Sequence, residues 1–409
     1  MSEAPARRRA ISFILVTLVL DAMGIGLILP VMPDLLEEIT GGTLARAAIW
    51  GGILSTAFAV MQFLLSPLLG ALSDRFGRRP VLLISLAVMA VDYLAMAVAH
   101  TIWLLLVLRI IAGATAATQS AATAFMADVS PPEKKSANFG LVGAAFGIGF
   151  VLGPVIGGLL AEFGTRAPFY AAAALAALNF AWGAFVLPET VTARTRRAFD
   201  PARANPLGAF RSVGRLPNVT RLLILFFAYE FAFIAYPSVW SYFTAQRFGW
   251  DPGMIGLSLA LFGIAVAAVQ GGLIRVALAR FGERGTILYG FVFNFLAFVF
   301  LVVNDLGWLT LIFTPLSALG AVVTPALQGR MSRIAADDQQ GELQGVIASA
   351  RSVAAILSPL VMTQVFAVFS DGAGLYLPGA PFALSAILML VCLAIFLRAS
   401  RDVSMAKAP

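Results

Sequence analysis

The sequence predicts an all-α membrane protein of twelve transmembrane helices in two pseudo-symmetric six-helix bundles. Three observations predict it. Of 409 residues, 60% are hydrophobic and 12% charged, against roughly 45–50% apolar and about 25% charged in a soluble domain. Apolar windows of about 18 or more residues, each able to cross a roughly 30 Å hydrocarbon core as a helix, recur along the whole chain. The basic residues concentrate on alternate loops, as the positive-inside rule requires. Backbone groups in lipid must bond within their own segment, so helices are the spanning element.

The first span, 11–33, follows Arg7, Arg8 and Arg9. Its apolar part is too long for a secretory signal, contains Asp21 and lacks a small-residue cleavage site, so it reads as a retained helix. The remaining spans are 47–69, 80–99, 102–126, 137–162, 167–187, 220–243, 253–277, 285–304, 307–328, 343–368 and 379–398. With both termini in the cytoplasm, the inward loops hold Arg75, Arg78, Arg79, Lys134, Lys135, the run from Arg194 to Arg221, Arg280, Arg284, Arg330 and Arg333. The outward loops hold Arg46, Arg166 and Arg247. Most of the +7 net charge is therefore a topology signal, and its scatter over separate loops argues against nucleic acid as a partner. The Arg- and Pro-rich interval 188–219 reads as a cytoplasmic linker between bundles at 1–187 and 220–409.

Several chemistries are excluded. Cys392 is the only cysteine and His100 the only histidine, which leaves no disulfide framework, no cysteine or histidine metal cluster and no Ser-His-Asp triad. No nucleotide-cradling loop is present, so a nucleotide does not drive the chain through a domain of its own. No cofactor is expected, and no protein partner is required. The chain is not read as an enzyme.

An internal repeat supports the two-half reading. Arg75-Phe76-Gly77-Arg78-Arg79 is echoed 205 residues later by Arg280-Phe281-Gly282-Glu283-Arg284, and Gly153-Pro154 is echoed at the same offset by Ser358-Pro359. Twofold internal symmetry around a central loop is a common plan for secondary transporters.

The stretch GALSDRFGRRPV, Gly70 to Val81, interleaves Gly70, Asp74, Arg75, Gly77, Arg78 and Arg79 between two apolar spans. It resembles the signature loop of the major facilitator superfamily. RIIAGATAA in the fourth span (Arg109, Gly113) and GIGFVLGPVIGG in the fifth (Gly149, Gly153, Pro154, Gly157) resemble two further signatures. The last is typical of the drug/proton antiporter branch. LDAMGIGLILPVMPDLL, Asp92-Tyr93 and FGWDPGMIGLSLA are similar to the tetracycline efflux antiporters.

Residue chemistry agrees with what the resemblance implies. In the loop, the acid lies near helix N-termini, where partial positive charge favours a carboxylate, and Arg78 and Arg79 can pair with it or with a neighbouring helix end to latch the inward gate. A plain topology loop needs only the arginines. Gly149, Gly153 and Gly157 lie four apart on one helix face and permit close helix approach; the resemblance implies a seal on the outward side.

Ionisable groups within the bilayer are expensive and are functional candidates by default. Asp21 is a candidate to exchange a proton during transport, with Arg109 beside it in coupling; a structural ion pair between these two is the plainer reading. Asp92 is a helix-packing or functional charge. Gln62 matches the antiporters' drug-contacting polar residue, and Gln62, Gln270 and Asn294 are the candidate substrate-binding residues. The family's histidine in the eighth span is Val266 here, although Gln270 one turn on is kept, and its aspartate in the ninth is Asn294. Instead Glu230 and Arg351 enter the seventh and eleventh spans, either as an ion pair with each other or with Glu230 as a substitute proton or cation site. The aromatics of the seventh to ninth spans, Phe226, Tyr229, Tyr236, Trp240 and Phe291 among them, are shared between lipid-facing positions and an apolar cavity.

The function these expectations support is alternating-access efflux of a small hydrophobic compound, cationic or zwitterionic, in exchange for protons across the inner membrane. An exporter or symporter of an endogenous metabolite is the alternative.

Overall fold

The structure is a computed structural model and describes residues 3–116, 118–192, 196, 205–206, 208, 214, 216, 219–371 and 374–405. Most of the expected linker, 188–219, lies outside the described residues. Among them every regular element is helical. In the first half these are α1 (Glu3–Ile28), α2 (Met32–Thr40), α3 (Leu44–Phe76), α4 (Arg78–Ala97), α5 (Ile102–Thr115), α6 (Thr118–Val129), α7 (Lys135–Ala161) and α8 (Ala167–Val186). The second half contributes α9 (Thr220–Phe233), α10 (Ala235–Phe248), α11 (Pro252–Ala268), a π-helical stretch Val269–Leu273, α12 (Ile274–Val303), α13 (Gly307–Ser317), α14 (Val323–Ile334), α15 (Gln340–Ser370) and α16 (Ala380–Met405).

Eleven helical stretches among the described residues are long and apolar enough to cross a membrane. One, Pro252–Val303, is 52 residues long, about 78 Å at 1.5 Å per residue and more than twice a hydrocarbon core. It contains a non-helical break at Gly282 (φ 64°, ψ 177°), and on either side lie the expected spans 253–277 and 285–304. The protein is accordingly a multi-pass membrane protein. The first span was expected to run to 33, but α1 ends at Ile28 and the short acidic α2 begins at Met32. Pro30 accounts for this: its ring disfavours helical backbone at the residue before it.

The chain divides into two compact units. The first comprises Met1–Gly41, Ala57–Pro206 and Asp251–Ala260, and the second Gly42–Thr56, Leu207–Trp250 and Leu261–Pro409. Phe13, Ile14 and Leu18 of α1 pack with Leu82 and Leu86 of α4 and Phe125 and Met126 of α6 at the centre of the first unit. The second has an aromatic core. Tyr236 stacks within 5.3–5.6 Å of Phe262, Phe298 and Phe382, and Tyr229 lies 6.2 Å from Phe291. Phe226, Tyr229 and Phe291 are buried, so much of the aromatic surplus of the seventh and ninth spans is packing rather than lipid or cavity lining.

Candidate functional site

The loop joining α3 to α4 is a single residue, Gly77, at φ 114° and ψ 153°, a region closed to side chains with a Cβ. Around it the charges form one network. Arg78 pairs with Asp74, one helical turn back, and with Asp128 at the end of α6, its Nε donating to the carboxylate at 3.2 Å. Its guanidinium also donates to the Ser73 hydroxyl at 3.3 Å. Arg79 does not join the acid: it donates to the Ala184 carbonyl at the end of α8 at 2.7 Å, the neighbouring helix end expected as one of its possible partners. Arg75 is exposed and lies over the Phe76 ring. Gly70 is half-buried.

Sequence reading missed two members of this network, Asp128 and Glu189. Glu189 caps α4: the backbone N–H groups of Arg78 and Arg79 donate to its two carboxylate oxygens at 2.9 and 3.3 Å, satisfying donors that a helix start leaves open and placing negative charge at the positive end of the helix dipole. A Cβ at Gly77 would strike that carboxylate. Thr190 donates to Asp128 at 3.1 Å. The available signal was an acid on the Arg-rich side of the chain, at the end of the fourth span and just after the sixth.

The echo in the second half is wired with opposite sign. Glu283 pairs with Arg333 of α14, and these stand 205 residues after Arg78 and Asp128 respectively. Where the first half has arginine bonded to aspartate, the second has glutamate bonded to arginine.

Within the first unit's helices, Arg109 of α5 bonds to Asp92 of α4 and lies over the Phe58 ring at 5.6 Å. The ion pair considered between Arg109 and Asp21 is therefore not formed. α4 and α5 are adjacent antiparallel helices, and an acid in one reaches a base in the other. Asp21, half-buried in α1, has no hydrogen-bond or ion-pair partner among the described residues. Its helix is seated by the glycine face. A Cβ at Gly149, Gly153 or Gly157 would run into the carbonyl of Val19, Met23 or Leu27, so two stripes of matching four-residue spacing interlock. Pro154 abuts Gly26 on the same α1 surface. The Tyr93 hydroxyl lies against Gly24.

In the second unit, Glu230 of α9 and Arg351 of α15 form the pair considered from sequence, with Arg351 Nε donating at 3.2 Å. Thr324 donates to the other carboxylate oxygen at 2.7 Å, a contact not foreseen. Asn294 is 1% exposed and its amide donates to the carbonyls of Gly290 and Gly320 at 2.8 and 2.9 Å. Here it ties α12 to the turn between α13 and α14. Gln270 is exposed on the π-helical stretch and Val266 packs beside Val269; π-bulges recur at functional sites. Gln62 of α3 is exposed. The structure thus gathers Asp74, Gly77, Arg78 and Arg79 around Asp128, Glu189 and the end of α8, leaves Gly70 and Arg75 outside these contacts, and sorts the intramembrane charges into two separate pairs plus Asp21.

Comparison with known proteins shows the family. The family model for the Major Facilitator Superfamily covers residues 14–275 and 222–409. The class C tetracycline resistance protein of Escherichia coli is 41% identical over 94% of this chain and 95% of its own. A crystal structure of the human organic anion transporter MFSD10 (TETRAN) is 26% identical with a TM-score of 0.69, covering 95% of this chain and 99% of that one. A bacterial homologue of the human lysosomal transporter Spinster, at 14% identity, shares the fold with a TM-score of 0.78 over 98% of both chains. The chain belongs to the major facilitator superfamily, among the relatives of the tetracycline resistance proteins.

Proposed function

We propose that this protein exports a small hydrophobic compound from the cell in exchange for protons, by alternating access, as an inner-membrane antiporter with both termini in the cytoplasm. The observation that carries the proton half is the solitary state of Asp21. With Arg109 bonded to Asp92, Asp21 is an acid in an apolar helix with no described partner, and a lone carboxyl group there is suited to picking up and releasing a proton. The interlocked glycine face holds α1 against α7, and Asp21 lies on the opposite side of α1 from that face, about 200° round the helix from Val19 and Met23. The Asp92–Arg109 pair is a positioning element in this reading. Asp74, Arg78 and Asp128, with Gly77 and Arg79, form the inward latch. Gln62 in the first unit and Gln270 in the second are each an exposed polar candidate for contact with substrate, whereas Asn294, expected beside them, is buried with its amide already donated to two backbone carbonyls and serves the packing of its own unit.

The relatives' names make tetracyclines the first compounds to test. Val266 and Asn294 cannot titrate near neutral pH, so coupling here does not run through the eighth- and ninth-span pair that the family resemblance led one to expect. Substrate-triggered proton release from everted vesicles energised by respiration measures the exchange. We expect a response in the wild type that disappears in Asp21→Asn at unchanged expression. A response of equal size in the variant would remove Asp21 from the proton path. Silence of the wild type toward tetracycline and toward a panel of other hydrophobic drugs would remove the drug-export reading.

A further inference from the structure

We infer that Arg351 is the docking point for an oxyanion on the exported compound, a carboxylate or a similarly delocalised enolate, received on the outer edge of its guanidinium. This rests on the export reading and names the substrate class for it. Of the charge types expected from sequence, it selects a compound that carries a negative group.

The placement of Arg351 makes the argument. It is twelve residues into α15, about 16 Å along the helix, yet its side chain is 50% exposed. A charge at that depth facing hydrocarbon is expensive, so exposed guanidinium there faces water. Its orientation is held on two sides. Nε donates to Glu230, and the guanidinium carbon lies 5.7 Å from the centre of the buried Phe226 ring, over its face. These contacts leave the two terminal nitrogens, on a side chain that is half exposed, without a hydrogen-bond partner among the described residues. A planar two-nitrogen edge, held in place and open to water, fits the two oxygens of a carboxylate, a match that a lysine ammonium cannot make.

The acid beside it is poorly placed to serve a cation instead. Glu230 is the only Asp or Glu in the six expected spans of the second half. It is 9% exposed, and Thr324 and Arg351 take one carboxylate oxygen each. A cationic substrate would have to displace the arginine and reach a buried group. An anion needs to displace nothing. Glu230 offsets the charge of Arg351 within the bilayer and sets the angle of its fork.

The test is binding to the full-length protein in nanodiscs, read by energy transfer from protein tryptophans to pyrene, with empty nanodiscs as background. The probes are pyrenebutyrate, its methyl ester and pyrenebutylamine. The wild type is expected to prefer the carboxylate over the ester by about tenfold or more, the scale of a hydrogen bond to a charged partner. Arg351→Gln is expected to erase that preference while leaving ester binding in place, and Arg351→Lys to keep only part of it. Loss of affinity for acid and ester alike marks a damaged fold, so the ratio is the readout and the ester the internal control. Equal affinity for acid and ester in the wild type, a preference for the amine, or a carboxylate preference that survives Arg351→Gln overturns the proposal. Failure of the export reading is seen separately, as absence of substrate-triggered proton release with every drug tested in wild-type vesicles.

Discussion

Gly77 and Gly282 stand 205 residues apart, both at positive φ and with extended ψ, yet their surroundings differ. At Gly77 the carboxylate of Glu189 presses on the glycine, and Arg78 beside it touches Asp74, Asp128 and Ser73. At Gly282 there is open space where a Cβ would go, and the neighbouring acid makes a single ion pair, Glu283–Arg333, whose arginine is 63% exposed. The backbone turn is common to both halves and the electrostatics are not. The first loop is a network of acids around one arginine. The second is an exchangeable pair with the charges reversed. The turn is a property of glycine, whereas the network needs neighbours delivered by other helices.

The largest effect expected from this contrast is at the glycines. Gly282→Ala meets only the backbone cost of an unfavourable φ/ψ region, about 1–3 kcal/mol. Gly77→Ala meets the same cost and also displaces Glu189, so its apparent Tm in nanodiscs is expected to fall further than that of Gly282→Ala. Equal shifts would mean that the Glu189 contact is not holding the first loop.

A middle-sized effect is expected at Glu189 itself. Glu189→Gln keeps the shape but removes the negative charge from the start of α4 and weakens acceptance from the Arg78 and Arg79 N–H groups. Loss of a cap of this kind costs about 1 kcal/mol. Thermal unfolding of the variant at low and high salt checks it, and a cost that does not shrink in high salt would point away from the charge.

The smallest effect separates the wiring of the two loops. Exposed ion pairs are worth about 0.2–1 kcal/mol, so Glu283→Arg alone is expected to lose that much and the double swap Glu283→Arg with Arg333→Glu to regain it. The corresponding swap of Arg78 and Asp128 is expected to give no recovery, because an acid at 78 would face Asp74. A double-mutant cycle at each loop measures this, and recovery at both would dissolve the distinction.

The repeat offset made the Glu283 position visible from sequence, and the sign change with it, because both are written in the order of residues. Arg333 and Asp128 were not visible as partners: each lies some fifty residues from its mate, and only the return of α6 or α14 to the same membrane face brings them in. The intramembrane charges show the same limit. Asp21, Asp92, Arg109, Glu230 and Arg351 were all conspicuous against apolar sequence. The Glu230–Arg351 pair was among the arrangements foreseen, and the partner of Arg109 was not, since pairing across helices depends on which helices are neighbours and how they are rotated.

The sequence by itself determined that the chain is a helical membrane protein with a repeated half and acids buried in its spans. Composition, run length and loop charge act locally, and lipid leaves the backbone only one economical way to bond. It also marked the glycine face, because spacing of four means one side of a helix whatever lies opposite. Tertiary structure alone decided what lies opposite: that the face receives α1 at Val19, Met23 and Leu27, that Arg109 belongs to Asp92 and so leaves Asp21 alone, and that Asn294 turns inward to the Gly320 carbonyl. These outcomes depend on helix neighbours and rotation. A rotation of one residue, about 100°, would exchange every one of these partners while leaving the hydropathy of the sequence unchanged.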